Sequence, residues 1–147
     1  MNDFDGCEYQ RPIGMTLLTG LYLFLFIVSL TTYGNPFPFM GKIQTGLIAR
    51  IFVFCDSLIC LYIVLGIMKR QFFTWHLVIC YNLLEVVNTI FNLNFIDVAY
   101  LEQVLGTHIN GSGLLVNNLL ASIGVLLLTE YIYRSKSYFT NRQIYIF

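Results

Sequence analysis

Four stretches of this chain are nearly unbroken runs of apolar residues, near positions 13–33, 45–68, 72–96 and 112–133. Each is long enough for a helix that crosses a bilayer, which takes about 20 residues at a rise of 1.5 Å per residue. The pattern predicts an all-α integral membrane protein, a single bundle of four transmembrane helices occupying residues 1–147 with no internal repeat to divide it. Composition agrees, since 57% of the residues are hydrophobic and 11% are charged, against roughly 25% charged in soluble domains.

The connections carry their own signals. Pro12 falls in the first turn of the first span, where its missing N–H is harmless, and Gly34-Asn35-Pro36 closes that helix. The segment from Asn35 to Lys42 alternates proline with aromatics, which predicts an interfacial turn anchored among headgroups by Phe37 and Phe39. Lys69-Arg70-Gln71 leaves room only for a tight antiparallel hairpin between the second and third spans. In the third connection Asp97 is placed to cap a short helix with Val98, Leu101, Val104 and Leu105 on one side, lying flat on the membrane surface.

Lys69 and Arg70 share a side with both termini and with Arg134, Lys136 and Arg142, whereas the opposite side offers Lys42 against Asp97 and Glu102. The positive-inside rule therefore predicts cytoplasmic N and C termini. The acidic opening Met1–Glu8 lacks the basic start of a signal peptide, and no small-residue cleavage site follows, so the first span is expected to remain. Cys7 precedes that span, which disfavours a lipoprotein anchor, and Cys55, Cys60 and Cys80 lie within spans at spacings that suit neither a metal nor a disulfide framework. They are expected to be buried, free and apolar in behaviour. A net charge of zero without a basic cluster excludes nucleic acid as a partner.

The third span departs from the apolar pattern. With Glu85 set at zero and 100° per residue, Asn82 falls at about 60°, Asn88 at about −60°, Thr89 at about 40° and Asn92 at about −20°. These five residues form one polar stripe, which must face protein or water rather than lipid. Counting from span centres puts Asp56 level with Glu85, and two carboxyls at one depth would hold a shared proton or a cation. Arg50, six residues outward of Asp56, either reaches toward Glu85, Asn88 and Asn92 or snorkels to the interface. The competing reading makes the stripe plain interhelical hydrogen-bond glue.

Other polar residues point to structure. His76 and His108 belong to opposite ends of the bundle and cannot clamp one haem iron. Glu130 and Arg134 have the spacing of a helix ion pair, and Asn110-Gly111-Ser112 matches a glycosylation sequon but also supplies a turn with Ser112 as helix cap. Ser57 adjoins Asp56 but points elsewhere around the helix, and no nucleophile with a base, metal triad or phosphate cradle is apparent. No cofactor is expected.

The segment Arg11-Pro12-Ile13-Gly14-Met15-Thr16-Leu17-Leu18 resembles the R-P-x-G-x-T-x-L opening of small uncharacterised prokaryotic membrane proteins with four predicted helices. The resemblance covers the first span. It implies the same topology and a prokaryotic cell (inner) membrane, and no activity. The leading expectation is a non-enzymatic membrane protein acting through helix contacts, as a homo-oligomer or as an accessory subunit among other membrane subunits and lipid. The alternative is a small proton- or cation-translocating or binding protein that uses Glu85 and Asp56.

Overall fold

The computed structural model describes residues 12–108 and 110–142, so the expectations for Met1–Glu8, Cys7 and Arg11 lie outside it, as does the side chain of Leu105. Helices α1 (Ile13–Thr31), α2 (Gly46–Met68), α3 (Phe72–Phe95) and α5 (Gly111–Arg134) are each long and apolar enough to cross a membrane. All four begin and end within two residues of the apolar runs read from the sequence. Pro12 starts α1 as expected, its carbonyl accepting the Met15 and Thr16 N–H groups at 2.9 and 3.3 Å.

The helices pack in the order α1, α2, α3, α5. Their buried side chains concentrate at the end where α1 and α3 begin, here called the terminal face: Met15 and Tyr22 of α1, Ile63 and Ile67 of α2, Val78 of α3 and Ile132 of α5. Small residues permit this closeness. A side chain at Gly66 would collide with Thr74, and one at Gly14 would collide with the Tyr131 ring, so α2 approaches α3, and α1 approaches α5, through a missing Cβ.

The same face is closed by the segment after α5. A 3₁₀ turn at Lys136–Tyr138 buries Tyr138 and Phe139, and Lys136 sits 5.0 Å from the centre of the Trp75 ring. The Asn141 N–H then donates to the Arg70 carbonyl at 3.0 Å, and the Phe72 N–H donates to the Asn141 carbonyl at 2.7 Å. The sequence showed only the charges of this segment. It forms instead a strap across the tight α2–α3 connection, where Arg70 adopts a left-handed φ of 53°.

At the opposite end, the first connection is a β-hairpin, which the alternation of proline and aromatics did not indicate. Strands β1 (Phe37–Phe39) and β2 (Lys42–Gln44) pair antiparallel around Met40-Gly41, with φ of 47° and 78°. Two left-handed residues give the turn whose twist suits a two-residue hairpin. Folding back this way carries Phe37 and Phe39 onto Phe52 of α2, with ring centres 6.0 and 4.5 Å apart, so these aromatics pack on protein. We call this end the hairpin face.

The third connection contains the expected short helix, α4 (Val98–Leu105), with the Asp97 carboxylate accepting the Ala99 N–H at 3.1 Å. Its Val98 and Leu101 turn toward α3 and α5. The cap of α5 is Asn110 rather than Ser112. Asn110 is the extended residue before the first helical turn and accepts the Gly113 N–H at 3.3 Å, while Ser112, already inside the helix, donates to Asn110 at 2.7 Å. Of the described cysteines, Cys60 is buried, but Cys55 and Cys80 are exposed on the apolar outer surface, contrary to expectation. Periodicity alone does not say which side of an all-apolar helix meets its neighbours.

Gly41 is the tightest point of the hairpin, since an added Cβ would stand 2.6 Å from Cβ of Phe95 at a φ of 78°. Gly41→Ala is expected to destabilise the protein by about 2 kcal/mol through left-handed strain and overpacking. Gly20→Ala, with nothing within 4 Å of the new methyl, is the control and should be neutral or slightly stabilising. Denaturant titration of the purified protein in detergent, followed by circular dichroism, measures both.

Candidate functional site

Along α3 the polar stripe faces inward, and its residues divide into three groups by what they hold. Nearest the terminal face, Asn82 joins three helices. Its side-chain oxygen accepts the Tyr22 hydroxyl of α1 at 2.6 Å, and its NH₂ donates to the Thr129 hydroxyl of α5 at 3.0 Å. Tyr22 is wholly buried and Asn82 is 3% exposed, so this amide is a structural tie.

Nearest the hairpin face, Asn88 and Asn92 hold the β-turn. The Asn88 side-chain oxygen accepts the Met40 N–H and that of Asn92 accepts the Gly41 N–H, both at 2.8 Å. Asn92 also donates to the Pro38 carbonyl at 3.3 Å. An N–H in a two-residue turn has no partner in its own hairpin ladder, and the two amides, one helical turn apart on α3, supply it. These residues therefore pin a loop.

Between the two groups lies the acidic region. Asp56 of α2 points at α3, but its oxygens are already engaged: Oδ1 accepts the Tyr81 hydroxyl at 2.7 Å and Oδ2 accepts the Ser29 hydroxyl of α1 at 2.8 Å. Ser57 joins the cluster through Ser29 at 3.0 Å, and the Cys60 thiol lies 3.4 Å from the Tyr81 hydroxyl. Ser57 is thus part of the polar cluster, although it points away from Asp56 around the helix. Ser29 makes the link by reaching across from α1 to both residues.

Glu85 lies one turn beyond Tyr81 on the same side of α3. It is close enough to Asp56 for the two carboxyls to repel one another when ionised. Among the described residues no hydrogen-bond donor or cation meets the Glu85 carboxyl. Instead it lines a cleft of about 400 Å³ walled by Tyr22 and Leu25 of α1, Tyr81 and Val86 of α3, and Ser122 and Val125 of α5. The cleft exists because α1 and α5 meet at Gly14 and Tyr131, whereas farther along α5 the residues from Gly111 to Leu128 include none that is buried. Thr89 also lines it, its hydroxyl bonded back to the Glu85 carbonyl at 2.9 Å.

The remaining candidates are not brought to this site. Arg50 is exposed near the start of α2, and no contact joins it to Glu85, Asn88 or Asn92. His76, on the first turn of α3, packs against the Phe72 and Trp75 rings, while His108, beyond α4, pairs with Glu102 at 2.6 Å. The Glu130–Arg134 pair forms at 2.6 Å. Sequence reasoning missed Tyr22, Ser29, Tyr81 and Thr129, although Tyr81 stands four residues before Glu85 and so shares its face. Comparison of the chain with protein-family models, with curated proteins and with solved structures returned no match.

The three-helix tie sets a measurable coupling. Asn82→Leu strands the Tyr22 hydroxyl and deprives the Thr129 hydroxyl, which still donates to the Val125 carbonyl at 2.7 Å, of its donor, and should lower stability by about 1–2 kcal/mol. Adding Tyr22→Phe and Thr129→Val to that variant should recover part of the loss, because no orphaned polar group then remains. Denaturant titration of the single and triple variants measures the difference.

Proposed function

We propose that this is an integral membrane protein whose Glu85 cleft binds a proton or a cation from within the membrane, without bond-making chemistry of its own. One observation carries the reading. Asn82, Thr89, Asn88 and Asn92 all have hydrogen-bond partners that explain their presence, whereas the Glu85 carboxyl faces a cleft with none among the described residues. An acidic side chain near mid-span costs roughly 2.5–3.5 kcal/mol in an inserted helix, and structural glue does not account for one without a bonding partner among the described residues. Asp56 does not line the cleft; it is tied to it through Tyr81, whose hydroxyl it accepts, and is held from the other side by Ser29.

The four apolar helices support membrane insertion, and the outward positions Leu17, Phe24, Phe54, Ile90 and Leu127 suit contact with lipid. Lys69, Arg70, Arg134, Lys136 and Arg142 belong to the terminal face, which orients that face to the cytoplasm, in a prokaryotic cell membrane by the resemblance of the first span.

A second reading, assembly with copies of itself or with other membrane subunits, draws on α5. No residue of that helix before Thr129 is buried, which leaves a long face for another helix. The asparagines are less suited to this role than the sequence suggested, because their amides are consumed inside the protomer.

The two readings separate on Glu85 variants. In proteoliposomes, Glu85→Gln is expected to abolish proton or cation uptake while the native mass in mild detergent stays unchanged. If Glu85→Leu instead breaks an oligomer or releases a co-purifying chain, with flux per assembled complex intact, the assembly reading replaces the binding one.

A further inference from the structure

The cleft has a composition that narrows what it binds. Besides Glu85 it presents the part-exposed ring of Tyr81, backed by the wholly buried ring of Tyr22, with centres 6.5 Å apart and planes tilted by 59°. Both hydroxyls are anchored elsewhere, Tyr22 on Asn82 and Tyr81 on Asp56, so the rings are fixed in place. The rest of the wall is mainly aliphatic, with Leu21, Leu25 and Val125 among its members.

A hard metal ion is a poor match for such a wall. Calcium takes 6–8 oxygen ligands and magnesium a near-octahedral set. Here the lining offers one carboxylate, a few hydroxyls and the Asn82 amide oxygen, which is already taken by the Tyr22 hydroxyl, and among the described residues no three His, Cys, Asp or Glu side chains come together. An organic cation has complementary needs. Its charge is spread or shielded, it loses less on leaving water than a small ion does, aromatic faces attract it, and its apolar body fills an apolar wall. The volume of about 400 Å³ falls in the range of ligand pockets. The opening is lateral, between α1 and α5, where Leu21, Leu25, Ala121 and Gly124 are exposed, so a membrane-dissolved molecule reaches Glu85 from the side.

Resting on the binding reading above, we infer that the α1–α3–α5 cleft is a site for a lipophilic organic cation, a quaternary or protonated amine or its phosphonium counterpart, with Glu85 as counter-ion and Tyr81, held against Tyr22, as aromatic wall. The proton is its competitor, because both occupy the same carboxylate. The titratable groups facing Glu85 are Asp56 and Cys60 from α2, Tyr81 from α3 and Tyr22 from α1, while α5 contributes none to the cleft. Affinity therefore falls as pH is lowered and Glu85 takes up a proton.

The test is equilibrium binding of radiolabelled tetraphenylphosphonium to the full chain in lipid nanodiscs. Wild-type protein is expected to bind it saturably. Glu85→Gln should weaken binding roughly tenfold or more. Gly124→Leu, which adds bulk where a Cβ meets nothing within 4 Å, should block the cleft without disturbing the fold, as helicity and native mass would confirm. Glu130→Gln, at the far end of α5, should bind as wild type does. Equal uptake by wild type, Glu85→Gln and Gly124→Leu would mean partition into lipid only and would overturn the inference. Absence of saturable phosphonium binding together with Glu85-dependent proton uptake in liposomes would overturn it as well, while leaving the broader binding reading standing. Loss of both would remove the two together.

Discussion

The structure depends on a rule of apolar surroundings: an amide placed among hydrocarbon side chains must find a donor and an acceptor or it destabilises the fold. Asn82, Asn88 and Asn92 satisfy it in a way that makes α3 the organiser of the molecule. One amide draws in α1 and α5 through Tyr22 and Thr129, and the other two draw in the backbone of the β-turn. Apolar packing alone sets no register between greasy helices, because one aliphatic contact replaces another at little cost. Directional bonds do set it, between helices at Asn82 and between α3 and the hairpin at Asn88 and Asn92.

The same rule separates the tied residues of the stripe from the candidate site. A polar group that closes its bonds inside the protomer has its reason there. Asp56 is close to that condition, since one oxygen is held by Tyr81 and the other by Ser29. Glu85 is not. Its cleft is a by-product of how the bundle is tied, with α1 and α5 in contact at Gly14 and Tyr131 and the earlier turns of α5 left unburied. The tyrosines that flank Glu85 are fixed by the structural network, so the scaffold and the candidate site share their side chains.

Much of the fold was legible because it is local. The four helices follow from the length of apolar runs, the α4 cap from Asp97 and the inward stripe from the 3.6-residue period. What escaped is what depends on partners distant in sequence. A tyrosine in an apolar run such as that around Tyr22 looks like any lipid-facing aromatic until Asn82, 60 residues away, is placed beside it. The hairpin was hidden because Met40 has no preference for a left-handed φ, and it holds one with its N–H bonded to Asn88. At the site, depth counting put Asp56 near Glu85, but helix rotation decided that Tyr81 and Ser29 engage Asp56 and that Arg50 stands apart.

The strap at the terminal face also bears on how the chain is made. The Phe72 N–H and the Arg70 carbonyl both complete their bonding with Asn141, some 70 residues later in the chain. During synthesis the α2–α3 hairpin is laid down long before that segment leaves the ribosome, so these two backbone groups have only water as partner until Asn141 has been made. Closure of this end therefore joins positions some 70 residues apart and requires the last segment described to have been made.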